Sequence, residues 1–414
     1  MMTLTYNKLK LSNGLTVLHY NNKNTPFVNV GLLYKVGSKV EKLNYTGLAH
    51  LFEHLMFSGS KKVKNYDQLI TKAYGESNAY TNNDFTYYYT KILKENLELV
   101  FFIENDRMNN LLLNDKKINI QKKVVIEEFK EYYINKPYGD LEHIVLDIMY
   151  KNHPYQWPTI GHKLEDIQNI TKEIILEFYN KWYDVQNCIF SIAGNVELFE
   201  VEHLIDKYFN KINKKNQEPI EIQINNNLKL NENIEIVLYK KVPLPLIFIG
   251  FYTVDRLHKD FYPLQFLSYI LGDEESSILY NELVVKKGFF SSITCTQTEY
   301  KELNLLTIKG KYKPNFNYRE IKNILFETFN KIYEITDFDV EKLKNLNILS
   351  KIQNNTNPEL IAENLAYYEY LSDADLINKE FDIIKKITVE QIINVFEKYV
   401  LNNKCFILHY LPKP

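Results

Sequence analysis

Apolar and β-branched residues crowd Leu15 to His19 and Phe27 to Val36, and this density predicts two strands. The pattern then changes period. Thr46 to Phe57 and Asp67 to Lys72 read as helices, Tyr87 to Ile92 as an extended segment, and Leu93 to Met108 and Lys116 to Tyr133 as helices again. Cys188 to Ala193 is a short buried-strand pattern closed by Gly194-Asn195, followed by an amphipathic helix over Leu198 to Ile212.

A polar stretch from Lys211 to Asn233, rich in Asn, Lys and Glu, interrupts this alternation, and the linker is placed at 216–233. The order of elements repeats on either side of it. Val30-Gly31-Leu32-Leu33-Tyr34 resembles Ile249-Gly250-Phe251-Tyr252, about 219 positions later, and each is followed by a long helical segment. An apolar strand closes each half, Cys188 to Ala193 in one and Cys405 to Tyr410 in the other. A repeat on this scale predicts an α+β fold of two similar tandem halves, 1–215 and 234–414, because a solenoid would repeat every 20–50 residues or so.

Composition narrows the partners. Among 414 residues, 45% are hydrophobic and 25% charged, with a net charge of -2, so the basic footprint that nucleic acid demands is missing. The three cysteines, Cys188, Cys295 and Cys405, stand far apart with no CxxC, so a metal would have to be held by histidine and carboxylate. The N-terminal MMTLTYNKLKLSNG lacks an apolar signal core, and the longest apolar stretch, near Val242 to Val254, is too short to span a bilayer. A cytoplasmic protein with no membrane partner is expected.

One segment carries chemistry. In Gly47-Leu-Ala-His-Leu-Phe-Glu-His-Leu-Met-Phe57, no Pro or Gly breaks Leu48 to Phe57, so His50 and His54 fall one helical turn apart on one face. Two imidazoles so placed can grip one divalent ion, and catalytic zinc sites take three protein ligands. Glu53 shares that side of the helix and can reach water beside the metal without binding the ion, as a general base must. Three polar side chains in an apolar helix are costly unless something compensates them, and a metal does so. For the third ligand, the helix Lys116 to Tyr133 offers Glu127, Glu128 and Glu131. Glu127 sits among Lys123, Lys130 and Glu131, as on a solvated face, while Glu128 sits among Val124, Val125 and Tyr132, on the inward stripe. Glu128 is therefore preferred, with an internal salt bridge to Arg107 as the alternative role.

His-x-x-Glu-His resembles the inverted zinc motif of the inverzincins, the group of pitrilysin, insulin-degrading enzyme and the mitochondrial processing peptidase. TGLAHLFEHLMFSGS at Thr46 to Ser60, GESNAYTNNDFTYYY at Gly75 to Tyr89 and ENDRM at Glu104 to Met108 are similar to its bacterial processing-peptidase-like branch. VVIEEF at Val124 to Phe129, HPYQWPTIG at His153 to Gly161 and AGNV at Ala193 to Val196 are similar to it too. LPLIFIGFYT and SSILYNELVVKKG in the second half match more loosely. The resemblance implies that each half is an antiparallel-rich sheet backed by helices. It also implies one Zn2+ per chain, Glu128 as the third ligand, and a strand at Asn78, Ala79 and Tyr80 that pairs with a peptide substrate. An ordinary edge strand is the other reading of that stretch. Relatives often carry an acidic residue about two helical turns before the third ligand, where Gln121 stands here.

The resemblance further implies a metalloendopeptidase that hydrolyses peptides or short unfolded segments. Relatives that act alone carry an Arg and a Tyr in the second half that hold substrate; here Val284 or Val285 and Phe289-Phe290 occupy those places. The expectation is a zinc-bearing subunit of a clamshell heterodimer whose partner supplies the Arg/Tyr pair, with a homodimer second. The alternative function is a non-catalytic scaffold or core subunit, although such members tend to lose motif residues and none is lost here.

Overall fold

In the computed structural model, which describes residues 3–216, 222 and 224–413, the run FVNVGLLY forms strand β3 (Phe27–Tyr34), buried at every position but the first. A strand this apolar needs cover on both faces, and it has it. Val28, Val30, Leu32 and Tyr34 point into one core, and Leu33 into a second core on the opposite face. The first core lies between the sheet and the helices of residues 48–208. The second is closed by the helix Pro358–Leu371, whose Ile361, Ala362, Leu365 and Ala366 are fully or almost fully buried. Two alanines four residues apart let that helix lie close on the sheet.

The sheet holding β3 has six strands: β1 (Asn7–Lys10), β2 (Thr16–Asn21), β3, β4 (Glu76–Thr81), β5 (Thr86–Leu93) and β6 (Cys188–Gly194). Their spatial order is β1-β2-β6-β3-β5-β4, with β2 and β6 parallel and the other pairs antiparallel. Gly31 in β3 is required by close approach, since a Cβ there would lie 2.6 Å from Ser191 Oγ. β4 is an edge strand, paired only with β5.

A second sheet contains β7 (Ile234–Lys240), β8 (Leu246–Tyr252), β9 (Phe290–Gln297), β10 (Leu305–Tyr312) and β11 (Phe406–Pro412), in the order β7-β11-β8-β10-β9. Here β7 and β11 run parallel and the other neighbours antiparallel. The predicted α+β architecture of two similar halves is therefore present, and β3 and β8, which carry Gly31 and Gly250, hold matching places.

The chain folds as two compact units, Met1–Gln223 with Lys351–Lys379 and Ile224–Ser350 with Glu380–Pro414. Segment 351–379, which a cut at 216–233 assigns to the second half, packs in the first unit. Of the predicted linker, residues 217–221 and 223 lie outside the described residues, and 224–233 form neither helix nor strand.

Candidate metal centre

The segment after β3 enters a helix at Gly47, whose φ of 85° is left-handed, and the helix runs Leu48–Met56. Leu48, Ala49, Leu51, Phe52, Leu55 and Met56 bury the inner face, where Phe52 stacks on Tyr179 at 5.7 Å and meets Tyr183 at 4.3 Å. This apolar stripe fixes the rotation of the helix, so His50, Glu53 and His54 emerge together, half-buried, on the other face.

A second helix, Asp115–Phe129, begins at Asn114, whose side chain accepts from the Lys117 N–H at 3.0 Å. It buries Ile118, Val125 and Phe129 and thereby turns Glu128 toward the histidines. Glu127 faces solvent and pairs with Lys130 at 2.8 Å. Arg107 is not a partner of Glu128: it is buried in a two-point pair with Glu104 at 2.6 and 3.0 Å.

His50 Nε2 and His54 Nε2 stand 3.4 Å apart, and Glu128 Oε2 lies 3.8 Å from the first and 3.5 Å from the second. Ligand bonds of about 2.0–2.1 Å in a tetrahedral site imply ligand separations of about 3.3–3.4 Å, so these three atoms fit one zinc-sized ion. Among the described residues this is the only group of three or more His, Cys, Asp or Glu side chains with ligand atoms all within 4.8 Å. Burial, aided by neighbouring His54, pushes the His50 imidazole down to about 4, which keeps it in the neutral form a metal requires. His50 Nδ1 is buried with no hydrogen-bond partner among the described residues.

Glu53 does not join the triangle. Its Oε2 accepts from Thr81 Oγ1 at 2.6 Å. Burial raises the carboxyl above its ordinary range, opposed by the Thr81 hydrogen bond and by His54. Thr81 ends the edge strand β4, so the acid is tied to the strand that carries Asn78, Ala79 and Tyr80. The Ala79 N–H is taken by Asn78 Oδ1 at 2.8 Å, and the Tyr80 hydroxyl donates to Glu363 Oε1 at 2.7 Å, in the second core. The Thr81–Glu53 contact escaped the sequence reading because the two residues are 28 positions apart and no local period links a strand end to a helix face.

Residues 16–163 match the insulinase family, peptidase family M16, and residues 169–347 match the peptidase M16 inactive domain. The zinc protease PqqE of Helicobacter pylori is 30% identical over 345 residues, covering 82% of this chain and 78% of that protein. The chain belongs to peptidase family M16. Among other M16 relatives, a probable mitochondrial-processing peptidase subunit beta of Arabidopsis thaliana is 22% identical over 405 residues, 93% of this chain and 75% of that protein. The crystal structure of a protease from Helicobacter pylori superposes with a TM-score of 0.93 at 26% identity, covering 99% of this chain and 100% of that one. The histidines and Glu53 lie inside the M16 segment that is not described as inactive. No helix among the described residues is long and apolar enough to cross a membrane.

Proposed function

We propose that this M16 chain is a zinc-dependent endopeptidase acting on peptides or short unfolded segments. His50 Nε2, His54 Nε2 and Glu128 Oε2 would hold the ion, and Glu53 would serve as the proton carrier. The convergence of those three atoms within 3.8 Å carries the reading. A zinc ion supplies Lewis acidity toward a carbonyl oxygen and toward water. Thr81 Oγ1 fixes Glu53 Oε2, leaving the other carboxylate oxygen to take a proton from attacking water and return it to the leaving amide nitrogen. The raised proton affinity of Glu53 suits both steps, because an acid held too low could not give the proton back.

β4 would bind an extended peptide as an added strand, through the backbone of Asn78, Ala79 and Tyr80. Asn78 Oδ1 must then give up the Ala79 N–H. The places expected of a substrate-holding Arg and Tyr are apolar: Val284 and Phe289 pack on the core of the second unit, and Phe290 lies within it. We therefore take the active form to be a heterodimer whose partner subunit supplies that pair, with a homodimer as the second possibility. The intact set His50, Glu53, His54 and Glu128 favours catalysis over a scaffold role.

Glu53→Gln separates metal holding from catalysis. Zinc content should stay at the wild-type level while peptide turnover, assayed with the partner present, falls about 10²–10⁴-fold. Undiminished turnover would refute the assignment, and full activity from the isolated chain would refute the need for a partner.

A further inference from the structure

The helix that carries His50 begins without the side-chain cap most helices use. Its N-cap is Gly47, which has no side chain to accept from the first-turn amides, and a Cβ there would lie 2.6 Å from the Ile160 carbonyl oxygen. An uncapped start leaves buried N–H groups without partners, at a cost that helices avoid. Glu41, six residues earlier, fills that role. Its Oε1 accepts from the Ala49 N–H at 2.7 Å, and its Oε2 accepts from the Gly47 N–H at 2.9 Å and from Trp157 Nε1 at 3.0 Å.

Glu41 is buried, and burial pushes its carboxyl up to about 8 against the pull of those three donors, while neighbouring Asp166 adds repulsion. A buried acid next to a second buried acid is expensive, and only strong compensation keeps it there. The donors provide it, together with the positive end of the helix dipole. The connecting turn is pinned as well: Thr46 Oγ1 donates to Asp166 Oδ2 at 2.5 Å and accepts from the His162 N–H at 2.7 Å.

His50 is the third residue of this helix and follows directly on the capped Ala49 amide. Its ring must stay 3.4 Å from His54, one turn later, although its own Nδ1 has no hydrogen-bond partner among the described residues to hold it. The position of the first turn therefore sets the position of the ring. We infer that Glu41 is a positioning residue of the metal site, holding the first turn of the helix so that His50 meets His54 and Glu128. The inference rests on the zinc reading above and adds a residue that touches neither metal nor substrate.

The test uses Glu41→Gln, which replaces one acceptor oxygen with a donor, and Glu41→Asp, which keeps the carboxyl group but withdraws it by one methylene. In the metal-free proteins, hydrogen exchange at the Gly47 and Ala49 amides should be faster than in wild type. Zinc affinity by chelator competition should be about tenfold weaker in both, the range seen when outer partners of metal ligands are removed. With zinc saturating, kcat per folded, zinc-loaded chain should fall while KM for a peptide stays put, whereas a mere loss of folded chain would leave that normalised rate unchanged. Wild-type exchange and zinc affinity in either folded variant would overturn the role of Glu41; if Glu41→Gln does not fold, Glu41→Asp carries the test alone. A wild-type chain that binds no zinc would instead sink the reading beneath it, and the two failures are thereby told apart.

Discussion

In the first unit, the helix after β3 presents His50, Glu53 and His54 on one half-buried face. In the second unit, the first helix after β8, Phe261–Ser268, is buried at every position except Gln265 and carries no charged residue. The sheets behind them share a strand order, β2-β6-β3-β5-β4 against β7-β11-β8-β10-β9, with the parallel pair in the same place. Architecture is thus common to both, and the candidate chemistry comes from three polar residues on one helix face together with Glu128 on a second helix. A shared fold does not bring a shared function; the site does.

The sharpest way to break this contrast is to strip the one helix face that differs. His50→Ala or His54→Ala should abolish zinc binding and, with it, turnover by at least the 10²–10⁴-fold or so attributed to the general base alone. Metal content by mass spectrometry or atomic absorption reads the loss directly.

Packing should treat the two units alike. Phe52→Ala and Phe266→Ala each remove a fully buried ring, and each should cost about 3–5 kcal/mol in urea unfolding. Zinc affinity of the folded fraction should fall only for Phe52→Ala, because only that ring seats the ligand-bearing helix. Equal effects on zinc would mean that the contrast between the helices is not local.

The first unit also contains a polar clamp. Tyr370, on the helix Pro358–Leu371, joins the buried Lys39–Asp84 pair through its hydroxyl, 2.9 Å from Lys39 Nζ and 3.3 Å from Asp84 Oδ1. Tyr370→Phe removes hydrogen bonds to charged groups and should destabilise the protein by about 1.5–3 kcal/mol, measured as a shift in the unfolding midpoint.

A smaller change sharpens the role of β4. Thr81→Val removes the hydroxyl that stabilises the Glu53 carboxylate, so the carboxyl should rise further. The acidic limb of the activity profile should then move to higher pH, with turnover near neutrality down about tenfold, toward the lower end of what a positioned base contributes. A limb that stays in place would show that Thr81 does not hold the working acid.

The smallest expected effect is shared. His19 in β2 and His409 in β11 are both buried, and burial pushes each imidazole below its ordinary 6.5, although for His409 the Glu235 carboxylate works the other way. The unfolded chain binds these protons near pH 6.5 and the native chain resists them, so stability is fully present above 6.5 and drains away as pH falls through the lower native values. Urea midpoints between pH 7 and 5 should decline, and His19→Gln should flatten the decline.

Much of this was legible in the chain. The 3.6-residue period placed His50, Glu53 and His54 together, while the stripe used to prefer Glu128 over Glu127 was only partly inward: Val125 is buried, but Val124 and Tyr132 are exposed. The repeat of Gly31 and Gly250 marked two β strands in matching positions. What local pattern could not carry was contact at long range. Helix Pro358–Leu371 joins the first sheet through Ile361, Ala362 and Leu365, yet its sequence only says that it is buried, not where. Thr81 and Glu41 reach the helix of His50 through a few hydrogen bonds between elements, which leave no periodic trace.

The most direct measurement is a zinc titration of the purified, metal-stripped wild-type chain beside His54→Ala. The account expects one zinc per wild-type chain at high affinity and none in the variant. Equal uptake by both proteins, or no uptake by either, would contradict it.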